Sequence, residues 1–249
     1  MLPDAEREPP DPDRNRQLSA QRIVALIEIL LCSDYPTQIA IGATLTAFGF
    51  GSYTSPGHLS VSYVVGLSLA DTVALISLVV LFLYAHGERP RDVLIGRRRV
   101  APEIALGIPL TLVALGIAIV VFAAVQRFVL SLHTVEHNPL AELMRSPRDA
   151  WLFALVLVVA GGIREEIQRA FLLHRFDVWL GGGTMGVIVT SVAFGAGHML
   201  QGVDAMLATG LLGAFWGVVY LRRRSCIAPL VSHSGFDLLQ IVQFIVIGR

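Results

Sequence analysis

Charge is scarce in this chain. Only 15% of its 249 residues are Asp, Glu, Lys or Arg, against 54% hydrophobic residues and a mean hydropathy of +0.66. A soluble globular domain carries about 25% charged residues, so the shortage points to a polytopic membrane protein. Net charge is lacking too: 19 basic and 19 acidic groups cancel to +0, and no global field favours a nucleic-acid partner. Cysteine is limited to Cys32 and Cys226, in or beside apolar runs and without CxxC spacing, which reads as two inert membrane residues rather than a disulfide or metal pair. The metalloprotease spacing HExxH does not occur, so a metal centre has no strong motif behind it. Residues 1–21 lack the apolar core of a cleavable signal. Pro3, Pro9, Pro10 and Pro12 among interleaved acids and arginines predict a short disordered arm, leaving the first hydrophobic run to direct insertion.

What the chain does have is long apolar runs. Arg22 to Phe50 is long enough to cross a hydrocarbon core of about 30 Å, but Ser33, Asp34, Tyr35 and Pro36 interrupt it, predicting one crossing preceded by a short interfacial or re-entrant helix. Val61 to Ala85 is a second crossing with Asp71 in mid-span, and Ala101 to Leu132 a third. Trp151 to about Leu180 is a fourth, ended by Gly181, Gly182 and Gly183. Met185 to about Leu200 is a short fifth, Ala205 to Leu221 a sixth and Ile227 to Ile247 a seventh. The expected fold class is therefore an all-α membrane protein, a helical bundle of about seven or eight transmembrane helices, with residues 22–249 as one membrane-embedded domain. Arg97 to Arg99 and Arg222 to Arg224 lie four crossings apart and so on the same side, which the positive-inside rule makes cytoplasmic, together with the N-terminus. The expected location is the cell membrane. Trp151, Trp179 and Trp216 near proposed helix ends read as interfacial anchors.

Three of these segments carry polar chemistry, which costs about 2.5 to 3.5 kcal/mol per ionised group in hydrocarbon and so marks a functional site by default. On the fourth, Arg164, Glu165, Glu166, Gln168 and Arg169 form a cluster. Glu165 and Arg169 are four apart and able to pair across one turn, while Glu166 lies about 100° round the helix. One carboxylate paired with Arg would stay ionised and the other, less compensated, would suit acid and base work; the sequence leaves open which is which. On the fifth, Phe194 and His198 are four apart, with Gly195 and Gly197 between them clearing space for a backbone or a substrate. On the seventh, His233 and Asp237 repeat the spacing, so that the Asp can hold the imidazole in one tautomer or offer its own oxygen to a water or metal. Two His and two Glu from three helices are the parts for activating a water. Each also has a bland reading, as a helix-to-helix hydrogen bond or a structural ion pair. His58, His86, His133, His137 and His174 fall in loops or at helix ends and read as surface residues; Asp71 either lines the cavity or caps a kink. His198, His233 and Glu165 are the residues that would hold a divalent metal such as zinc.

In this order and spacing the motifs resemble those of the CAAX prenyl endopeptidase and bacteriocin-processing (CPBP, Abi) family of intramembrane proteases, over roughly Trp151 to Gly248. The family pattern is EExxxR, then FxxxH, then HxxxN or HxxxD. Phe194 to His198 and His233 to Asp237 match, whereas Glu165 to Arg169 is EExxR, one residue short. Anchoring on Arg169, whose RAFLLHRF looks like the family's RGFLLxRL, matches Glu165 to the second family Glu and puts Arg164 where the first would stand. Anchoring on the glutamates matches both and displaces the arginine by about 100°. The resemblance implies a catalytic core in residues 151–248, in which Glu165 or Glu166 activates water, His198 and His233 orient it and stabilise the oxyanion, and Asp237 and Arg169 support them. Phe194, Gly195, Gly197 and Gln168 would line the substrate cavity. It further implies membrane-associated or C-terminally lipidated proteins as substrates, the bilayer as surroundings, and no nucleic acid. A proton-coupled transporter would need similar intramembrane acids and should show inverted repeats, which are not visible; a catalytically silent scaffold or immunity protein would keep the helices without a converged site.

Overall fold

The computed structural model describes residues 12–55, 58–135, 143–144 and 146–247. Helix α1 (Pro12–Leu31) and α2 (Tyr35–Ala47) form a pair bent by 42°. The bend sits where the sequence interrupts its apolar run: Asp34 adopts φ 80, a conformation an L-residue rarely takes, and Pro36 occupies the first turn of α2. A short antiparallel hairpin, β1 (Tyr53–Ser55) with β2 (His58–Leu59), leads into α3 (Val61–Ala85), whose first turn is capped by the Ser60 hydroxyl accepting from the Tyr63 N–H. Then come the short α4 (Pro90–Leu94), α5 (Val100–Phe128), α6 (Pro147–Val156), a π-helical stretch Leu157–Arg164, α7 (Glu165–Trp179), α8 (Gly183–Gly197), α9 (Val203–Arg223) and α10 (Ile227–Ile247).

Among the described residues, α3, α5 and α9 are long and apolar enough to cross a membrane, and the bent α1–α2 pair makes up to four candidate spans. Large apolar side chains such as Val73, Leu81, Ile108, Leu112 and Val120 face outward on α3 and α5, as a lipid-facing surface requires. Two expectations change. Residues 12–21 belong to α1 rather than to a disordered arm, while 1–11 lie outside the described residues. The fourth run is three pieces, α6, the π stretch and α7, rather than one regular helix. In the polar stretch before it, residues 136–142 and 145, His137 included, lie outside the described residues.

Close approach between helices depends on glycine at a few positions. A Cβ on Gly107 of α5 would lie 2.5 Å from Val231 Cβ and 2.9 Å from the Ala228 carbonyl of α10. On the π stretch, a Cβ on Gly161 would lie 2.6 Å from Asp237 Oδ2, and one on Gly162 1.9 Å from Ser234 Oγ. The two arginine-rich loops meet at one end of the bundle: Cys226 N–H donates to the Leu94 carbonyl at 2.8 Å, Arg98 Nε to the Arg223 carbonyl at 2.9 Å, and Arg223 Nη2 bonds Glu103 at 2.5 Å.

At one end of α7 the fully buried Arg175 ties three elements together. It donates to Glu28 of α1 and to Glu88, each at 2.6 Å, and to the Phe82 carbonyl of α3 at 3.4 Å. His86 bonds Glu28 at 2.7 Å and His174 bonds Glu88 at 2.6 Å, so these two histidines are half-buried members of the network rather than free surface groups. His133 likewise bonds Asp204 at 2.6 Å. Partial burial would raise the Glu88 carboxyl, but the bonds from His174 and Arg175 outweigh it and hold the group below its ordinary value of 4.5.

Two outcomes are expected. Gly107→Ala forces α5 and α10 apart and costs about 1 to 3 kcal/mol, read as a lower Tm in detergent. Because the folded Glu88 is depressed, its contribution is present above the unfolded pKa and lost as pH falls through the folded one. Wild type should therefore be more stable than Glu88→Gln at pH 7, the gap closing below about pH 4.5, as thermal melts across pH would show.

Candidate active site

The acidic pair opens α7 directly after the π stretch, and the two carboxylates point to different surroundings. Glu166 is buried, accepts from His233 Nδ1 at 2.8 Å and is paired with Arg169 Nη1. The expected Glu165 to Arg169 pair is therefore replaced by an i, i+3 pair between Glu166 and Arg169. The Arg169 guanidinium also lies 4.8 Å from the centre of the Phe194 ring and 5.7 Å from that of Trp216, favourable placements for a cation. A buried carboxylate in apolar surroundings is stable only with such partners.

His233 is fixed from two sides. Its ring stacks on Trp216 at 3.8 Å with an 18° interplanar angle, and the indole N–H donates to Ser232 Oγ at 3.1 Å. Trp216 is thus a buried wall of the site, not an interfacial anchor. With Nδ1 committed to Glu166, His233 Nε2 lies 3.8 Å from Glu165 Oε2 and 3.8 Å from Asp237 Oδ2. These separations exceed a direct hydrogen bond and suit one bridging water.

Glu165 faces a cavity of about 430 Å³. Arg164, Gln168, Arg169, Phe194, Gly197 and His198 line it, together with Ser33, Asp34, Tyr35 and Gln38 from the α1–α2 break. Its remaining wall is mostly apolar, with Ile29, Leu172, Phe176, Val189 and Ala193 beside Thr190 and Gln201. His198 ends α8 and its Nδ1 meets the Phe194 carbonyl at 2.9 Å. A carbonyl only accepts, so Nδ1 carries the proton, and Nε2 is an acceptor in the neutral ring. Gln168 Nε2 is tied to the Cys32 carbonyl at 2.8 Å, and both cysteines are free and buried.

Nearly all the expected residues converge. Gly195 does not line the cavity: a Cβ there would lie 2.7 Å from the Met206 carbonyl of α9, so it serves helix packing, whereas Gly197 borders the cavity near Tyr35. Among the described residues, no group of three His, Cys, Asp or Glu side chains is arranged to hold a metal ion, so His198, His233 and Glu165 do not form a ligand set. Sequence reasoning passed over Asp34, Tyr35 and the binding role of Arg164. Arg164 Nη1 donates to Asp34 Oδ1 at 2.9 Å and is paired with Asp71 Oδ2, and Nη2 donates to Glu165 Oε1 at 3.3 Å. The signal was an acid, Asp34, inside an apolar run. Asp71, left ambiguous by sequence, is buried in this cluster.

Removing one partner of the buried Glu166 pair should cost about 3 to 5 kcal/mol. Arg169→Met is therefore expected to lower the Tm sharply, and the double variant Arg169→Met with Glu166→Gln to regain most of the loss in the same detergent melt.

Residues 147–239 match a family model described as type II CAAX prenyl endopeptidase Rce1-like. The matched stretch contains the acidic pair, Arg169, Phe194, His198, His233 and Asp237, in agreement with the resemblance seen in the motifs. Comparison with curated proteins and with solved structures gave no match. The match and the long apolar helices together support an integral membrane protein, part of which is similar to that family.

Proposed function

We propose that this chain is an intramembrane endopeptidase that hydrolyses a peptide bond in membrane-associated or C-terminally lipidated, CAAX-type proteins, and that Glu165 is its base. The observation that carries this reading is that Glu165 faces the cavity shared with His198 while its Oε2 stands 3.8 Å from His233 Nε2. Glu166, bound by Arg169 and His233, is already committed.

In this mechanism a water sits between Glu165 Oε2 and the neighbouring imidazoles. Glu165 takes one proton and the acceptor Nε2 of His198 orients the other hydrogen as the oxygen attacks the scissile carbonyl. His233, in its protonated form, donates from Nε2 to the developing oxyanion, with Glu166 and Asp237 balancing its charge. Glu165 then returns its proton to the leaving amine as the carbon–nitrogen bond breaks. The apolar wall of Ile29, Leu172, Phe176 and Val189 would take lipid or hydrophobic side chains of the substrate. The same reading makes 151–248 the catalytic core of one domain and takes α6 to α8 and α10 as membrane-embedded. That gives about seven or eight crossings with the N-terminus cytoplasmic in the cell membrane.

General base catalysis is worth about 10²- to 10⁴-fold. Glu165→Gln is expected to slow cleavage of a prenylated CAAX peptide in detergent by that factor, with an unlipidated control cleaved less well. Wild-type turnover by Glu165→Gln would sink the assignment. Cleavage lost on adding a chelator and restored by zinc would move water activation from the glutamate to a metal.

A further inference from the structure

Among the described residues, Arg164 is the buried cation at the cavity that no role above requires. It ends the π stretch, is itself buried, and gathers three carboxylates from three parts of the fold: Asp34 at the α1–α2 break, Asp71 in the middle of α3, and Glu165 beside it. Its Nε is occupied as well, donating to the Ala160 carbonyl at 3.2 Å inside the π stretch. The guanidinium is thereby held by three partners, Asp34, Asp71 and the Ala160 carbonyl, through Nη1 and Nε, and Nη2 of its planar fork is left for Glu165.

The geometry points to Arg164 as the positioning residue that aims Glu165, anchored by Asp71 and Asp34; the inference rests on the assignment of Glu165 as base. A carboxylate has two oxygens and one free torsion near its end. With Oε1 held by Arg164 Nη2 at 3.3 Å, Oε2 is the oxygen left toward His233 Nε2 at 3.8 Å. Without Arg164 the carboxylate is free to rotate and to turn away from the bridging water, and misplacement of a reacting group by about 1 Å can cost about 10²-fold. The anchors are rigid for separate reasons. Asp71 is fully buried in the middle of α3, where packing fixes its side chain, with Oδ2 on Arg164. Asp34 is fixed by its own turn: Gln38 Nε2 donates to Oδ2 at 2.6 Å, and Thr37 Oγ1 and the Gln38 N–H both donate to its carbonyl, at 3.0 Å. Because Asp34 and Tyr35 border the cavity, Arg164 also joins the aim of the base to the shape of the cavity rim.

The test is steady-state cleavage of a prenylated CAAX peptide by the full chain in detergent, with Tm measured for each variant. Arg164→Gln should lower kcat about 10-fold or more while KM changes less than about twofold, and Arg164→Lys should recover part of kcat because it keeps the cation without the fork. Asp71→Asn, which leaves Arg164 in place, should lower kcat in the same direction by less. If Arg164→Gln does not fold, the Asp71→Asn and Arg164→Lys values decide, and wild-type kcat in both would overturn the proposal. A rise in KM at constant kcat would also overturn it, making Arg164 a substrate contact. Glu165→Gln run alongside separates the two readings. If it cleaves normally, the base assignment has failed; if it is inactive while Arg164→Gln keeps its kcat, only the positioning role has failed.

Discussion

The structure depends on guanidinium–carboxylate pairing in surroundings with little water. Three buried arginines, Arg164, Arg169 and Arg175, run along one stretch of chain, the end of the π helix and α7. Arg164 and Arg175 reach acids that the sequence holds elsewhere, and Arg169 reaches another helix through its neighbour Glu166. Arg164 takes Asp34 and Asp71, Arg169 takes Glu166 and through it His233, and Arg175 takes Glu28 and Glu88. A buried ion pair contributes little net stability against an apolar substitute, but breaking one is expensive, so the pairs act as register pins between helices that lipid-facing apolar surface alone would leave free to slide. All 19 basic residues of the chain are arginine, the side chain whose fork suits such multi-partner sites.

Polar pins work only where backbones come close, and the glycines set where that is. Gly161 and Gly162 lie in the π stretch against Asp237 and Ser234 of α10, so the segment that carries the acidic pair can be seated beside the one that carries His233. The wider π turn belongs to the same solution: it ends where α7 begins, and the two glutamates emerge at that junction. Pairing energy and steric clearance are thus supplied by neighbouring residues of a single stretch.

That division also explains what the sequence could and could not disclose. Val61–Ala85 and Ile227–Ile247 are helices at the residues expected, because long, predominantly apolar runs with a polar boundary leave little choice even where they carry a few polar residues. The convergence of Glu166 with His233 was legible from the spacing of the motifs, and the resemblance named the same residues. The π stretch was not legible, since Val158 to Gly162 has no periodicity that tells a π turn from an α turn. Nor was the pairing of Arg169, because positions three and four residues away lie on the same face and only the placement of His233 decides between them. Trp216 misled for a similar reason: a tryptophan near a helix end fits an interfacial belt or a ring stacked on a buried imidazole equally well until the neighbouring helix is known.

The short spacing of the acidic motif then acquires a physical meaning. From Arg169, Glu166 lies about 60° away round the helix and Glu165 about 40°, so either carboxylate is within reach of the guanidinium. The choice falls on Glu166 because His233 Nδ1 holds the same oxygen, making that carboxylate the shared acceptor of two donors. Once Arg169 is spent there, Glu165 needs a cation of its own, and Arg164, the residue immediately before it, supplies one. EExxR in this chain is thus better read as REExxR, two acids bracketed by two arginines. The arginine ahead of the pair gives the cavity-facing carboxylate the counter-charge that the arginine behind it cannot.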